Sequence, residues 1–388
     1  MSDLLVLALV PAAAWAGWWF ARSSARRGER KRNRIFSDRY FQGLNYLLNE
    51  QPDKAIQVFL EMAEVNKDTV ETHLALGSLF RRRGEVERAI RLHQNIISKR
   101  ALDDAQRTQA LLELGEDYMR AGLFDRAERL FSELIGRDTH APSALRNLLD
   151  IYQQEREWDK ALEIAGHLQK LGRPGVAVCM SHFCCEMAEA ELQEGRTEAA
   201  RKHLRKARRH DPQSIRAQLI AARIAEHKED YAVAMQCYEQ VAAMDTDYLP
   251  DLLEPYFECA ERAGLVAQAQ QQLDAWGSEY DGVSVVLKKA RILEGEQGAG
   301  AAAEHLARAL EQRPTMRGLD RLMALKAEDG ADIASGEELL RRVARRLLDS
   351  QSTYRCSHCG FSGHKHLWQC PSCKQWSTTR VIRGVLGE

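Results

Sequence analysis

The chain has 388 residues, 55 basic against 56 acidic side chains, and nine cysteines. That length exceeds one ordinary core and requires several domains or a repeat array, while the charge balance removes the bulk electrostatic case for a nucleic-acid partner. Nine prolines and a middle rich in Ala, Leu, Glu and Arg favour helix, and the scattered Cys179, Cys184, Cys185, Cys237 and Cys259 lack framework spacing, which fits a reducing compartment.

Residues 4–21 read LLVLALVPAAAWAGWWFA, a run without a charge that as a helix reaches about 27 Å, close to the hydrocarbon thickness of a bilayer. Trp15, Trp18 and Trp19 crowd its far end, where amphipathic rings favour the lipid boundary, and Arg22, Arg26, Arg27, Arg30, Lys31, Arg32 and Arg34 follow at once. A cleaved signal peptide is the alternative, but its cations belong before the apolar run, and here only Asp3 precedes it. The expectation is a single-pass anchor over residues 1–21 with its N-terminus outside, then a basic juxtamembrane linker over 22–35 that touches anionic lipid.

A period follows. Leu76-Gly77-x-x-Phe80, Gly84, Ala89, His93 and Ile96 are echoed by Leu114-Gly115-x-x-Tyr118, Gly122, Ala127, Phe131 and Leu134. This pattern resembles the tetratricopeptide repeat. Its small-residue marker recurs at Ala55, Ala89, Ala127, Ala161, Ala200, Ala234, Ala269 and Ala302, with separations of 34, 38, 34, 39, 34, 35 and 33 residues. About eight helix pairs are therefore expected within residues 36–315, with a small residue of the first helix facing Ala on the second. Gly84, Gly122, Gly195 and Gly264 fall at the turn inside a pair, where positive φ is wanted, and Pro212 and Pro314 fall between pairs. Ser335-x-x-Glu338 is a capping box that opens a final helix, and the array domain runs from 36 to 350.

Within the array, Arg81, Arg82 and Arg120 fall where such repeats present side chains to a groove, so they are candidates for partner binding; stabilisation of helix C-termini explains them equally. The run Arg201, Lys202, Arg205, Lys206, Arg208, Arg209 reads as a solvated outer face, with docking to an acidic partner or anionic lipid as the alternative. The adjacent Cys184 and Cys185, near His182, read as core thiols, since neighbours on a helix point apart. No phosphate-cradling loop, zinc-protease helix or nucleophile elbow is present, so the chain is read as a non-enzyme.

Residues 351–388 carry Cys356-x-x-Cys359 and Cys370-x-x-Cys373, the spacing that brings two thiolate-bearing turns to one tetrahedral ion. The segment is too short for a core of its own, so one iron or zinc ion per chain is expected to hold it, and four sulfurs do not distinguish the two metals. Gly360 supplies the tight turn after the first pair; Phe361, Trp368 and Trp376 supply aromatic cover; His358, His364 and His366 read as surface residues because four thiolates already complete the tetrahedron.

The order of anchor, repeats and the tail Tyr354-Arg355-Cys356…Cys359-Gly360-Phe361…Trp368…Cys370-Pro371-Ser372-Cys373…Trp376-Ser377…Ile382-Arg383-Gly384 resembles the lipopolysaccharide assembly protein B family of Gram-negative bacteria over the whole chain. The fold expected is all-α: a tetratricopeptide-repeat superhelix with an N-terminal transmembrane helix and a small C-terminal rubredoxin-like or zinc-ribbon module. The resemblance implies an inner-membrane adaptor, with its N-terminus periplasmic and its body cytoplasmic, that lowers lipopolysaccharide synthesis. Its implied partners are the membrane-bound ATP-dependent zinc protease and the deacetylase that commits substrate to lipid A, besides inner-membrane lipid; no nucleic acid is implied, and homo-oligomerisation stays open. The metal module is implied to pack on the repeats and to be needed for activity. An electron-transfer or metal-sensing role of the tetrathiolate ion is the alternative, and a nucleic-acid zinc ribbon is disfavoured because Lys365 is the lone permanent charge of the intervening loop.

Overall fold

A computed structural model describes residues 70–99, 102–136, 141–328 and 335–388, with isolated positions between 41 and 58. The apolar run with Trp15, Trp18 and Trp19, the cations Arg22, Arg26 and Arg27, and the marker Ala55 lie outside the described residues, as do the side chains of Ser335 and Glu338. Among the described residues no helix is long and apolar enough to cross a membrane. The chain divides into two compact units, Met1–Arg156 and Glu157–Glu388.

The first unit contains α1 (Val70–Arg82), α2 (Val86–Ile97), α3 (Asp104–Arg120), α4 (Phe124–Ile135) and α5 (Ala141–Gln154). Asp103 caps α3 by accepting from the Gln106 N–H at 2.8 Å. Gly84 and Gly122 join α1 to α2 and α3 to α4 at φ of 82° and 73°, as their spacing predicts. The small residues of two first helices, Gly77 and Gly115, lie against a large ring of the second helix. A Cβ at Gly77 would lie 2.2 Å from the His93 ring, and one at Gly115 would lie 2.5 Å from the Phe131 ring. These glycines therefore make room for the large ring four residues after the marker alanine.

The second unit contains α6 (Trp158–Lys170), α7 (Val176–Gln193), α8 (Thr197–His210), α9 (Ile215–His227), α10 (Tyr231–Met244), α11 (Leu249–Ala263), α12 (Val266–Glu279), α13 (Val283–Gln297), α14 (Ala299–Gln312), α15 (Met316–Glu328) and α16 (Ser335–Ser350). A 3-10 turn, Thr246–Tyr248, links α10 to α11. Ala89, Ala127, Ala161, Ala200, Ala234, Ala269 and Ala302 are all fully buried, so the period is real through its last, Ala-rich members. Gly195 and Gly264 take positive φ as expected, but Arg156 and Glu229, at φ of 58° and 60°, fill the corresponding turns where no glycine is available. The helix beginning at Ser335 does not stand alone after residue 315: α15 precedes it and packs on it, with Ala344 buried.

Three short strands complete this unit. β1 (Tyr354–Cys356) lies between β2 (Ser362–Gly363) and β3 (Thr379–Val381), antiparallel to both, with Tyr354 opposite Gly363 and Val381. Alternation along β1 buries Tyr354 and Cys356 and exposes Arg355.

Candidate metal centre and its seat on the repeats

Two turns of the same design carry the cysteines. In the first, Gly360 N–H donates to the Cys356 carbonyl at 3.0 Å and Cys356 N–H to the Phe361 carbonyl at 2.7 Å. In the second, Lys374 N–H donates to the Cys370 carbonyl and Cys370 N–H to the Gln375 carbonyl, each at 2.9 Å. Gly360 at φ 79° has its counterpart in Lys374 at φ 59°, so a lysine holds the left-handed position in the second turn. The four Sγ atoms lie within 4.8 Å of one another, with Cys356 to Cys373 at 3.7 Å and Cys359 to Cys370 at 3.6 Å. Sulfurs about 2.3 Å from a tetrahedral ion stand about 3.8 Å apart, so the donor set fits one zinc or iron ion.

Local dipoles favour the thiolate at Cys356 and Cys359, whereas at Cys373 the Gln375 N–H is outweighed by burial and the crowding of neighbouring sulfurs, which push the thiol up to about 12. Cys356 Sγ lies 3.2 Å from the Thr378 hydroxyl, which donates once the sulfur is ionised and, with backbone N–H groups, holds the thiol down to about 6. The Phe361 N–H lowers Cys359 in the same way. Cys356 and Cys370 are buried and Cys359 is exposed. A bound ion would be held by these four sulfurs and would supply the cross-link that ties the two turns together.

The aromatic cover expected for the metal module is its contact surface. Trp376 stacks on His182 of α7 at 4.6 Å between ring centroids and meets the edges of Phe183 and Trp158. His182 Nε2 is 2.7 Å from Ser377 Oγ. Trp368 stacks on Tyr248 at 5.9 Å, with the Arg216 guanidinium 5.7 Å over its ring. Phe361 differs: it is exposed. His358 and His364 are exposed as anticipated, whereas His366 is wedged against Tyr248, Tyr354 and Trp368, and burial lowers its pKa. The loop histidine is thus part of the seat.

Acidic residues at the 3-10 turn and the start of α11 receive the module's polar groups. Tyr354 donates to Asp251 at 2.5 Å, Arg380 to Asp245 at 2.5 Å, and Arg383 to Asp247. The buried Glu388 carboxylate accepts from Ser284 Oγ at 2.6 Å, Ser284 N–H at 3.1 Å and Tyr280 at 3.2 Å, and pairs with Arg317. Asp245, Asp247, Asp251, His182 and Ser284 carry no motif, and nothing in their spacing marks them.

The other candidates fall in different surroundings. Arg81 is not a free cation: Asp117 and Glu113, each at 2.7 Å, and Glu116 at 2.8 Å surround it. Burial alone would lower its pKa, and the Asp117 and Glu113 carboxylates reverse that into a rise. Asp117 also holds the fully buried His93 at 2.5 Å. Arg82 and Arg120 are exposed, with no ion pair among the described residues. Cys184 and Cys185 are fully buried, and burial pushes their thiols up to about 11 and about 12, so they are inert core thiols.

Residues 354–380 match the rubredoxin metal binding domain family, and residues 72–107, 112–166 and 185–248 match tetratricopeptide repeat families. The chain is 37% identical over 389 residues to lipopolysaccharide assembly protein B of Escherichia coli K12, covering 100% of both chains. It is 33% identical over 392 residues to lipopolysaccharide assembly protein B of Haemophilus influenzae, covering 98% of each. With relatives of that identity aligned along its whole length, a tetrathiolate donor set and a repeat array beneath it, the chain belongs to the lipopolysaccharide assembly protein B family.

Proposed function

We propose that this chain is an inner-membrane adaptor that restrains lipopolysaccharide synthesis by bringing the lipid A pathway's committing deacetylase to a membrane-bound ATP-dependent zinc protease. Residues 1–21 would anchor it, with Trp15, Trp18, Trp19, Arg22, Arg26 and Arg27 at the lipid boundary, 22–35 would be a basic linker, 36–350 the array, and 351–388 the metal-held module. The reading is supported by the family's name and, above all, by the seat of the module: a metal donor set spends its aromatic surface on repeat helices, which suits a scaffold part. Tethering confines client and protease to one surface and raises their effective concentration without new contacts. Exposed Arg82 and Arg120 remain available to a partner; Arg81 would act by shaping the acidic cluster around it.

The test is crosslinking in membranes followed by capture of the full chain, with and without its first 21 residues, scoring protease and deacetylase in one complex. The anchored form should hold both and the truncated form should lose the protease. Cys373→Ser should cause the deacetylase to accumulate in cells. Unchanged deacetylase abundance together with capture of neither enzyme would refute the adaptor role. An iron-to-zinc exchange that leaves capture intact would assign the ion a structural role, not electron transfer.

A further inference from the structure

Three arginines of the basic run on α8 line a groove. Arg201, Arg205 and Arg208 follow one another at intervals of four and three residues, so they lie along one side of the helix over about 10 Å. That side lines a groove of about 400 Å3 between α8 and α10, with α9 supplying the surface between them. Leu204 and Ile224 form its apolar part with Val233, which is 41% exposed, and Gln218, Gln236 and Gln240 add neutral amides. None of the lining residues is acidic.

The arginines are also under-neutralised. Arg205 makes no close ion pair among the described residues, and the one carboxylate near it, exposed Glu198, is shared with Arg201 at 3.6 Å and Lys228 at 3.3 Å. Arg208 is oriented by the Gln218 carbonyl oxygen at 2.7 Å, and Gln218 is in turn bonded to Gln240. One arginine is therefore held in place by uncharged groups, which leaves its charge available. Other cations on helices of this unit do have acids beside them: Arg216 has Glu186 and Glu189, Lys288 has Glu254, and Arg321 has Glu294.

We propose that the α8–α10 groove binds an acidic, apolar-containing segment of a protein partner. Two carboxylates two or three residues apart in an extended chain, about 7–10 Å, would span the row of Arg201, Arg205 and Arg208 and pair with it bidentately. An interleaved Leu, Ile or Phe side chain would cover Val233 and the half-buried Ala221. A bilayer is the poorer occupant: its flat headgroup surface reaches the rim, while α9 supplies a recessed surface between the two flanking helices that an extended segment can enter. The site rests on the adaptor reading only in needing a protein partner, and it names the chemistry of that partner's contact.

The test is fluorescence anisotropy of a labelled peptide of alternating Glu and Leu, titrated with the detergent-solubilised full chain at low salt. Arg201→Glu with Arg205→Glu should weaken binding at least about tenfold. The double change Lys202→Glu with Arg209→Glu alters net charge equally on the same helix but outside the groove lining, and should cost less than about threefold. Circular dichroism melts establish that both variants are folded. Equal losses from the two pairs, or no loss from the first, would overturn the groove in favour of diffuse attraction. Preference for anionic phosphatidylglycerol vesicles, lost in the first pair while the peptide fails to bind, would overturn it in favour of lipid. A first-pair variant that fails to bind the peptide but still captures protease and deacetylase leaves the adaptor role standing with this groove serving another acidic partner; one that binds the peptide unchanged sinks the groove alone.

Discussion

Gly77 shows how one atom decides the sign of a substitution. Within helix α1 propensity alone would have Gly77→Ala gain about 1 kcal/mol. The added Cβ would instead sit 2.2 Å from the His93 ring, and that ring is fully buried and bonded to Asp117. The neighbour has no free volume to retreat into, so a net loss of about 1–3 kcal/mol is expected in thermal unfolding. A rise in melting temperature would refute the packing described. His182 gives a second residue-level expectation. Burial, with the Arg216 charge, lowers its pKa from 6.5 to about 3, so the unfolded chain binds the extra proton. Stability contributed by the neutral ring is complete above 6.5 and declines as pH falls toward 3, by up to about 1.4 kcal/mol per unit. His182→Gln should flatten the pH dependence of urea unfolding between about pH 7.5 and pH 5; an unchanged slope would remove His182 as its source. The donor cysteines were readable from spacing because metal geometry imposes one. His182 was not, since a stacking partner can come from any helix that happens to face the module, and only the fold selects it.

At the scale of elements, the helix pairs were legible because close packing demands a small residue at a fixed step, which is why Ala269 and Ala302 are buried despite Ala-rich surroundings. The inside turns were legible only where glycine fills them; Arg156 and Glu229 accept the left-handed conformation at a cost that composition does not display. Helix α15 escaped for a related reason, having no marker of its own and gaining its place by packing Leu325 on Ala302 and Leu306 of α14 and by its contact with α16. The metal module is an element whose attachment can be separated from its integrity. Trp376 touches His182, Phe183 and Trp158 of the array but is not a ligand. Trp376→Ala should therefore leave one ion per chain by elemental analysis, while the seat loses about 3–5 kcal/mol of burial. Limited proteolysis should then cut near residues 350–353 faster than in the unaltered chain. Loss of the ion in this variant would mean that seat and metal site are a single cooperative structure.

At the scale of the whole molecule, the module acts as a clasp on the second unit. It reaches α7 through Trp376, the 3-10 turn and α11 through Arg380, Arg383 and Tyr354, and α13 and α15 through Glu388. Repeat arrays transmit stability mainly between neighbours, so a part that bridges helices far apart in sequence adds cooperativity that the repeats lack. An ion bound by four thiolates contributes about 10–16 kcal/mol of folding free energy at neutral pH, more than a segment of this length can bury. Stripping it with a mercurial and a chelator should unfold the module and release the clasp at every attachment together. Hydrogen exchange should then quicken in α7, α11 and α13, which contact the module, and stay as it was in α1 to α4, whose cores of Val70, Leu74, Leu76, Phe80, Ile96 and Ala110 owe nothing to it. Exchange that quickens in 354–381 alone would show the clasp to be a passenger on a self-sufficient array, and exchange that quickens equally in α1 to α4 would show that the metal stabilises far more than the helices it touches.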